Sequence, residues 1–422
     1  MIISNLSVPM LGLVDTAVLG HLDQPVYLAA VAVGGAALSF LYWGFGFLRM
    51  GTTGLAAQHF GRQDAYNNRQ LAAQSIVLAI AISVVIVATS PWLIELGLRL
   101  IGSPEGSAAA AHSYTQIRIF SAPAVLINYC IIGWLIGQQD SRWPLLITLT
   151  TNVLNIILDL VFVVVLKLNS DGAAMATVIA EYSGCALAIW VLRRRLAHLP
   201  SQLNWPALTK LADYQSLLAV NRHLFIRTLT LLASLAFFTA QGANQGTVVL
   251  AANSLIMQLL MLTSYGLDGF AHAAEALTGK AKGEGKHSLF MNTCKQCAKW
   301  SLISALLFSA AYALAGQGMI AMLSSIDSVV TEANQYLPWL IVLPLASMGA
   351  YLLDGIFIGA SRSQAMQNAM LLSALGVYLP VWYFSQAMGN HGLWLAFICF
   401  SFARSLSLGV VFIHNSRRRR WV

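Results

Sequence analysis

The chain has 422 residues, of which 58% are hydrophobic and only 9% are charged, and its formal net charge is +8. A typical soluble domain carries about 25% Asp, Glu, Lys and Arg, so this chain has too few charges to cover a water-facing surface. The composition excludes a soluble enzyme, a disordered regulator and a secreted disulfide scaffold. It predicts a membrane protein with many spans.

Twelve apolar runs are long enough for helices that cross the hydrocarbon core, which takes about 20 residues. Runs of this length predict helices rather than the strands of an outer-membrane barrel, which alternate over about 10 residues. We therefore predict an all-α polytopic membrane protein with twelve transmembrane helices. The predicted spans are 1–22, 26–57, 76–100, 117–136, 144–166, 172–192, 217–240, 247–276, 300–323, 336–359, 366–388 and 392–413.

The basic residues orient these spans. Lys and Arg are concentrated in the even-numbered connections and at the C-terminus, as at Arg142, Lys282 and Arg417–Arg420, whereas the odd-numbered connections hold only Arg99 and Lys167. The positive-inside rule then predicts that both termini are cytoplasmic, which agrees with an even number of spans. This distribution favours anionic lipid headgroups, and not nucleic acid, as the partner of the positive charge.

An internal repeat relates the two halves of the chain. A shift of 222 residues superimposes Tyr129, Gly133, Gly137 and Ser141 on Tyr351, Gly355, Gly359 and Ser363. Six spans lie on either side, so both halves enter the membrane from the same side, as in two-lobed secondary transporters. We predict an N-terminal lobe of residues 1–194, a cytoplasmic linker of 195–216 and a C-terminal lobe of 217–422. The repeated GxxxG pairs are interpreted as sites where helices pack closely.

Ionisable and polar residues occur inside the spans of the first half. Asp15 lies within the first span, and Asp159 lies within the fifth. Asn155 precedes Asp159 by four residues and Asn152 precedes Asn155 by three, so the three share one helix face. Acidic residues are rare in membrane spans and mark transport pathways or coupling sites by default.

The sixth span adds a second polar face. Thr177 and Glu181 are four residues apart and therefore lie on the same side of the helix. Carboxyl groups that share an apolar lobe can bind and release a proton close to neutral pH. Carboxylate, amide and hydroxyl oxygens also suit a small cation such as Na⁺. The alternative is that a buried carboxylate only bonds a neighbouring helix.

The second half has its own ionisable set. Asp268 and Glu275 are two helical turns apart on one face of the eighth span, with His272 between them, and Asp354 lies in the tenth span. Buried charges must be paired, so Arg227 in the seventh span is predicted to pair with Asp268 or Glu275, or to take part in coupling.

No enzyme motif is present. The chain lacks a P-loop, a GxSxG and an HExxH sequence, and we interpret the single pair Cys294 and Cys297 as chance. The sequence therefore predicts a secondary transporter without a cofactor.

Several segments resemble the MATE (multidrug and toxic compound extrusion) transporters, and within them the DinF-like branch. The resemblance runs nearly end to end. It is carried by Gly12–Leu22, Phe47–Leu55, Ile117–Ala124, Asn155–Asp159, Leu267–Ala271 and Tyr351–Gly355. It implies two pseudo-symmetric six-helix lobes and cation-coupled export by alternating access.

The resemblance also implies an N-lobe cation-coupling site of Asp15, Asn155, Asp159 and Thr177, which is also the place for Na⁺ if that ion is used. In relatives, protonation of the first-helix Asp is linked to bending of that helix, and the associated proline would fall just before Met1. The remaining polar residues are predicted substrate-cavity or secondary polar sites; they are Asn152, Glu181, Arg227, Asp268, Glu275 and Asp354.

The leading hypothesis is a monomeric H⁺-coupled antiporter in a bacterial inner membrane that exports amphipathic organic cations. One alternative is a Na⁺-coupled multidrug exporter. A second is a flippase for lipid-linked saccharides, which the acidic N-lobe cluster disfavours. A third is a scaffold or receptor in which the polar residues only pair helices.

Overall fold

The computed structural model of the protein describes residues 25–102 and 106–421, and these residues form helices without any strand. The helices in chain order are α1 (Pro25–Gly44), α2 (Phe47–Gly61), α3 (Ala65–Ala88), α4 (Ser90–Ile101), α5 (Ala108–Arg118), α6 (Ala122–Gly137), α7 (Arg142–Asp159), α8 (Asn169–Ala197), α9 (Gln215–Asn244), α10 (Thr247–Gly283), α11 (His287–Leu323), α12 (Asp327–Gly359), α13 (Ser363–Ser373), α14 (Leu379–Phe384) and α15 (Asn390–Arg417). Shorter helical segments connect them; they are the 3₁₀ turns Ile119–Ser121, Trp205–Leu208, Leu211–Tyr214 and Gln386–Met388 and the π-helical segments Leu160–Val165 and Ala374–Tyr378. The all-α class is confirmed.

Ten helical segments of the described chain are long and apolar enough to cross a membrane. The predicted first span, 1–22, lies outside the described residues. The predicted span 366–388 is divided between α13, a π-helical segment and α14, so no single long helix covers it.

Several helices extend well beyond the predicted apolar runs. Helix α3 begins at Ala65, although the predicted span begins at 76. Its start is fixed by Asp64, whose carboxylate accepts a hydrogen bond from the backbone N–H of Asn67 at 3.0 Å. Partial burial acts to raise the pKa of Asp64, but the hydrogen bonds from Asn67 lower it below the ordinary value. Hydropathy finds the part of a helix inside the hydrocarbon, whereas capping decides where the helix ends.

The chain divides into two compact units between Leu218 and Ala219. The first unit has a core around Trp134 and Leu135. The core of the second unit is more aromatic, with the rings of Phe238 and Trp394 only 4.8 Å apart between centroids.

The segment between α8 and α9 lies on the first unit. Gln70 of α3 donates to the backbone oxygen of Asn204 at 3.2 Å, and Gln74 donates to that of Asp213 at 3.2 Å. Tyr214 is buried in the first unit's core. These contacts hold the segment against the first unit.

The repeated glycines mark the same helix crossing in both units. A Cβ atom added to Gly133 of α6 would lie 2.5 Å from the backbone oxygen of Arg49 in α2. One added to Gly355 of α12 would lie 2.9 Å from the carbonyl carbon of Ala271 in α10. Ala271 is the repeat counterpart of Arg49, so both units use one crossing geometry. The interpretation of these glycines as packing sites is confirmed.

We predict that Gly355→Ala destabilises the protein by about 1–3 kcal/mol, because the added methyl group must displace the α10 backbone. Gly409→Ala on α15 is the matched control, since a Cβ there meets no atom within 4 Å. That exchange should be neutral or stabilise the helix by about 0.5–1 kcal/mol. Thermal unfolding of the purified variants in detergent measures both effects, and equal unfolding temperatures would contradict the crossing described above.

Candidate cation-coupling site

Helices α7 and α8 approach each other closely in the first unit. A Cβ atom added to Gly184 of α8 would overlap the hydroxyl of Thr151 in α7, so the missing side chain permits the contact. Asn152, predicted on the polar stripe of α7, is half-buried beside this crossing.

Three of the four predicted coupling residues lie close together along α7 and α8. Asn155 and Asp159 are 0% and 1% exposed, and Thr177 is 7% exposed. The Asn155 amide donates to the Thr177 hydroxyl at 3.2 Å, and that hydroxyl donates to the backbone oxygen of Ala173 at 2.9 Å. Asp159 follows Asn155 by one turn. The fourth predicted residue, Asp15, lies outside the described residues.

Asp159 stands at a change of helix geometry. Helix α7 ends at this residue and continues as the π-helical segment Leu160–Val165, in which the N–H of Leu166 donates to the oxygen of Val161. Widened turns of this kind occur frequently at functional sites. Apart from its β-branched residues, which fit a regular helix less well, the sequence Leu-Val-Phe-Val-Val-Val does not indicate a π-helical segment.

The site offers hard oxygen atoms in apolar surroundings. Among the described residues, no donor reaches the buried Oδ1 of Asn155. No group of three or more His, Cys, Asp or Glu side chains in the described ranges is arranged to hold a metal ion. A carboxyl group with an amide and a hydroxyl beside it is chemically suited to a proton or a small monovalent cation.

A second polar cluster lies one turn further along α8. Glu181 is half-buried and interacts electrostatically with Arg118 at the end of α5. The guanidinium of Arg118 donates to the Ser121 hydroxyl at 2.7 Å, and the Tyr42 hydroxyl of α1 lies 3.2 Å from the same Ser121 oxygen. The sequence analysis named Glu181 but missed its partners, because they come from spans far away in the chain.

Charged residues of the second unit form a buried triad. Asp354 of α12 accepts hydrogen bonds through Oδ2 from Arg227 of α9 and, at 2.9 Å, from Arg404 of α15. All three side chains are buried. Arg227 was predicted to pair with Asp268 or Glu275, or to take part in coupling, and the carboxylate that forms an ion pair with it in the structure is Asp354. Arg404 had no predicted partner at all, because only the packing of three separate helices brings these groups together.

Helix α10 of the second unit carries two further acids. Glu275 is 1% exposed and Asp268 is half-buried. Asp268 interacts electrostatically with Tyr351 of α12, whose hydroxyl is 2.5 Å from that of Ser264. His272, between the two acids in sequence, is half-buried.

The repeat does not extend to the charges. At the shift of 222 residues, Asn155, Asp159 and Thr177 correspond to Val377, Val381 and Cys399. In the other direction, Asp354 and Arg404 correspond to Ile132 and Tyr182. The two units therefore differ in the polar groups that their membrane helices carry.

Comparisons with known proteins agree with this architecture. The sequence profile of the MatE family matches residues 1–161 and 224–384. DNA damage-inducible protein F of Escherichia coli K12 is 40% identical over 423 residues, covering all of this chain and 92% of that protein. Multidrug and toxin extrusion protein 1 of Danio rerio is 25% identical over 426 residues, covering 96% of this chain and 69% of that protein.

A MOP-superfamily transporter from Pyrococcus furiosus has a similar solved structure. Its TM-score is 0.88 at 19% identity, covering 99% of this chain and 94% of that chain. This likeness concerns the fold, and it agrees with the predicted twelve helices in two lobes. Since the family profile covers most of the chain and the E. coli relative aligns along its whole length, the protein is a multi-pass membrane transporter, not an enzyme, and belongs to the MATE family.

Proposed function

We propose that the protein is an H⁺-coupled antiporter that exports amphipathic organic cations by alternating access. The coupling site would consist of Asp159, Asn155 and Thr177 together with Asp15. Membership of a family of multidrug and toxin extrusion transporters supports a small-molecule substrate and ion coupling. The E. coli relative supports a bacterial inner membrane, and the basic connections favour cytoplasmic termini.

One observation carries the proposal. Asp159 is 1% exposed in the first unit and lies one helical turn from the buried Asn155 amide, whereas the 222-residue shift aligns Asp159 with the half-buried Val381. A carboxyl group buried in a membrane span is costly, and such a group marks a functional site by default. A role in binding a cation explains why the first unit has an acid there.

The chemistry follows from the charge of the carboxyl group. When Asp159 is ionised, the first unit attracts a positively charged substrate; when it is protonated, that attraction is lost. A proton and an organic cation that compete for one negative site are coupled reciprocally, because each lowers the affinity for the other. Alternating exposure of the site then exchanges inward-moving protons for outward-moving substrate.

The described oxygen atoms favour a proton over Na⁺. A proton needs one carboxyl oxygen, whereas hard metal cations generally require several oxygen ligands at once. The Thr177 hydroxyl is already engaged by Asn155 and by the backbone oxygen of Ala173. The Thr177 oxygen therefore offers one remaining lone pair to a metal cation.

We predict that Asp159→Asn abolishes transport driven by a pH gradient, because the amide cannot bind and release a proton. Proteoliposomes containing the purified protein, with ethidium as the cationic probe, provide the measurement. The variant should fall to the rate of empty liposomes and keep the parent's unfolding temperature. Glu95→Gln, which neutralises an exposed acid on α4, is the matched control and should transport normally.

Undiminished transport by Asp159→Asn would refute the assignment of the coupling site. The ion is tested separately with the parent protein. Transport that continues without Na⁺ and stops when the proton gradient is collapsed supports proton coupling. Transport that requires Na⁺ and survives an uncoupler would overturn it in favour of the Na⁺-coupled alternative.

The triad of the second unit should behave as a structural element. Asp354→Asn leaves two buried guanidinium groups without their carboxylate, and breaking a buried ion pair in this way typically costs about 3–5 kcal/mol. We therefore predict a large fall in unfolding temperature for Asp354→Asn, in contrast to Asp159→Asn.

A triple variant tests whether the loss of stability comes from the unpaired buried guanidinium groups. Arg227→Met, Asp354→Leu and Arg404→Met together remove all three charges, and buried ion pairs replaced as a set by apolar residues usually lose little stability. The triple variant should therefore unfold at a higher temperature than Asp354→Asn. If the single variant unfolds at the parent's temperature, the triad does not stabilise the second unit.

A further inference from the structure

The second unit has a polar cavity of about 420 Å³ between the start of α9, the connection from α12 to α13, and the end of α15. It lies at the end of the unit where the Arg417–Arg420 run is found. Its polar lining includes His223, Arg362, Ser363, Gln364, Asn368 and Asn415, and none of its lining residues is acidic.

The repeat shows what the first unit has at the equivalent place. Arg362 corresponds to Asp140, which precedes α7. Asp140 Oδ1 accepts hydrogen bonds from the backbone N–H groups of Arg142 at 3.1 Å and Trp143 at 3.4 Å. Its other oxygen binds the guanidinium of Arg195. The first unit thus holds an anion between the start of a helix and an arginine.

The second unit keeps an arginine at the position of Arg195 but has Arg362 in place of Asp140. Arg362 cannot accept a hydrogen bond from the start of α13, which has no side-chain cap. Arg195 corresponds to Arg417 at the end of α15. Within the described chain, no carboxylate forms an ion pair with Arg362 or with the Arg417–Arg420 run.

The arginine run is held in place by the residue that follows it. Trp421 is 1% exposed, its ring is 5.3 Å from that of Phe290, and its Nε1 donates to the Ser416 hydroxyl at 2.8 Å. Arg362 donates to the backbone oxygen of Arg420 at 3.0 Å. The backbone of the arginine run is therefore held beside Arg362, and Arg362 itself lines the cavity.

The acid of the neighbouring connection is already engaged. Glu284 lies 2.8 Å from Lys286 and 3.8 Å from Lys280. The hydrogen bond from Lys286 lowers the pKa of Glu284, so this carboxylate stays ionised and paired with its lysines. Lys282 of the same segment donates to the backbone oxygen of Ala360 at 2.5 Å, which adds a further positive charge beside the connection to α13.

We propose that this cavity binds a phosphate group, from an anionic lipid headgroup or from free phosphate, in the place that the Asp140 carboxylate holds in the first unit. Guanidinium groups and free backbone N–H groups at a helix start are well suited to phosphate oxygens. The cavity is larger than a single small ion requires. Val410 and Ile413 of α15, 59% and 52% exposed, provide apolar surface in the stretch before Asn415 against which acyl chains can lie.

Binding to the delipidated protein in detergent tests the proposal. Native mass spectrometry and thermal unfolding would be measured with phosphatidylglycerol, with phosphatidylcholine and with inorganic phosphate. Arg362→Gln should weaken binding of the phosphate anion about tenfold or more, as expected for the loss of a charge-assisted bidentate contact. Arg142→Gln, an exposed arginine of the connection that holds Asp140, is the matched control and should bind like the parent.

A second variant separates loss of binding from loss of folding. Arg362→Asp installs the carboxylate of the first unit, so it should cap α13 and leave the lipid-free unfolding temperature equal or higher while abolishing stabilisation by the anion. Preferential binding of phosphatidylglycerol over phosphatidylcholine assigns the site to a lipid headgroup, and binding of inorganic phosphate alone assigns it to the free anion.

The proposal is overturned if neither anion distinguishes the parent from Arg362→Gln, or if Arg142→Gln loses as much binding. Because none of these variants touches Asp159, the result is independent of the proposed coupling function.

Discussion

Every charged group inside this protein is subject to the high free-energy cost of an ion in apolar surroundings. The second unit meets the cost by pairing, since Asp354 binds Arg227 and Arg404. In the first unit, Asp159 is 1% exposed and lies one helical turn from Asn155. The triad joins α9, α12 and α15, whereas we propose that the charge of Asp159 changes when a cation binds.

The repeat separates what the fold needs from what the function needs. Both units share the glycine crossing, because backbones that touch leave no room for a side chain at Gly133 or Gly355. The charges are not shared, although the helices that carry them are. The duplicated helical frame therefore carries a buried ion triad in one copy and, as we propose, a coupling site in the other, because packing depends on shape while coupling depends on a few polar atoms.

The two units also differ in the charged residues at the starts of their helices. Asp64 and Asp140 begin α3 and α7, and the repeat places Lys286 and Arg362 at the starts of α11 and α13. Lys286 has an internal partner in Glu284, while Arg362 lines a cavity. The Asp140 carboxylate balances this charge within the first unit, whereas we propose that an external anion does so at Arg362 in the second unit.

Composition and hydropathy by themselves determined the membrane location, the helical class and the two related halves, because a bilayer accepts few other solutions for a chain this apolar. They also identified Asn155, Asp159 and Thr177 as candidate site residues, since polar residues are costly in a membrane span. Tertiary structure alone decided the partners: Arg227 and Arg404 bind Asp354, Glu181 interacts with Arg118, and α7 changes to π-helical geometry after Asp159. These contacts join residues from separate spans, and the spacing along a single helix contains no information about which other helix lies against it.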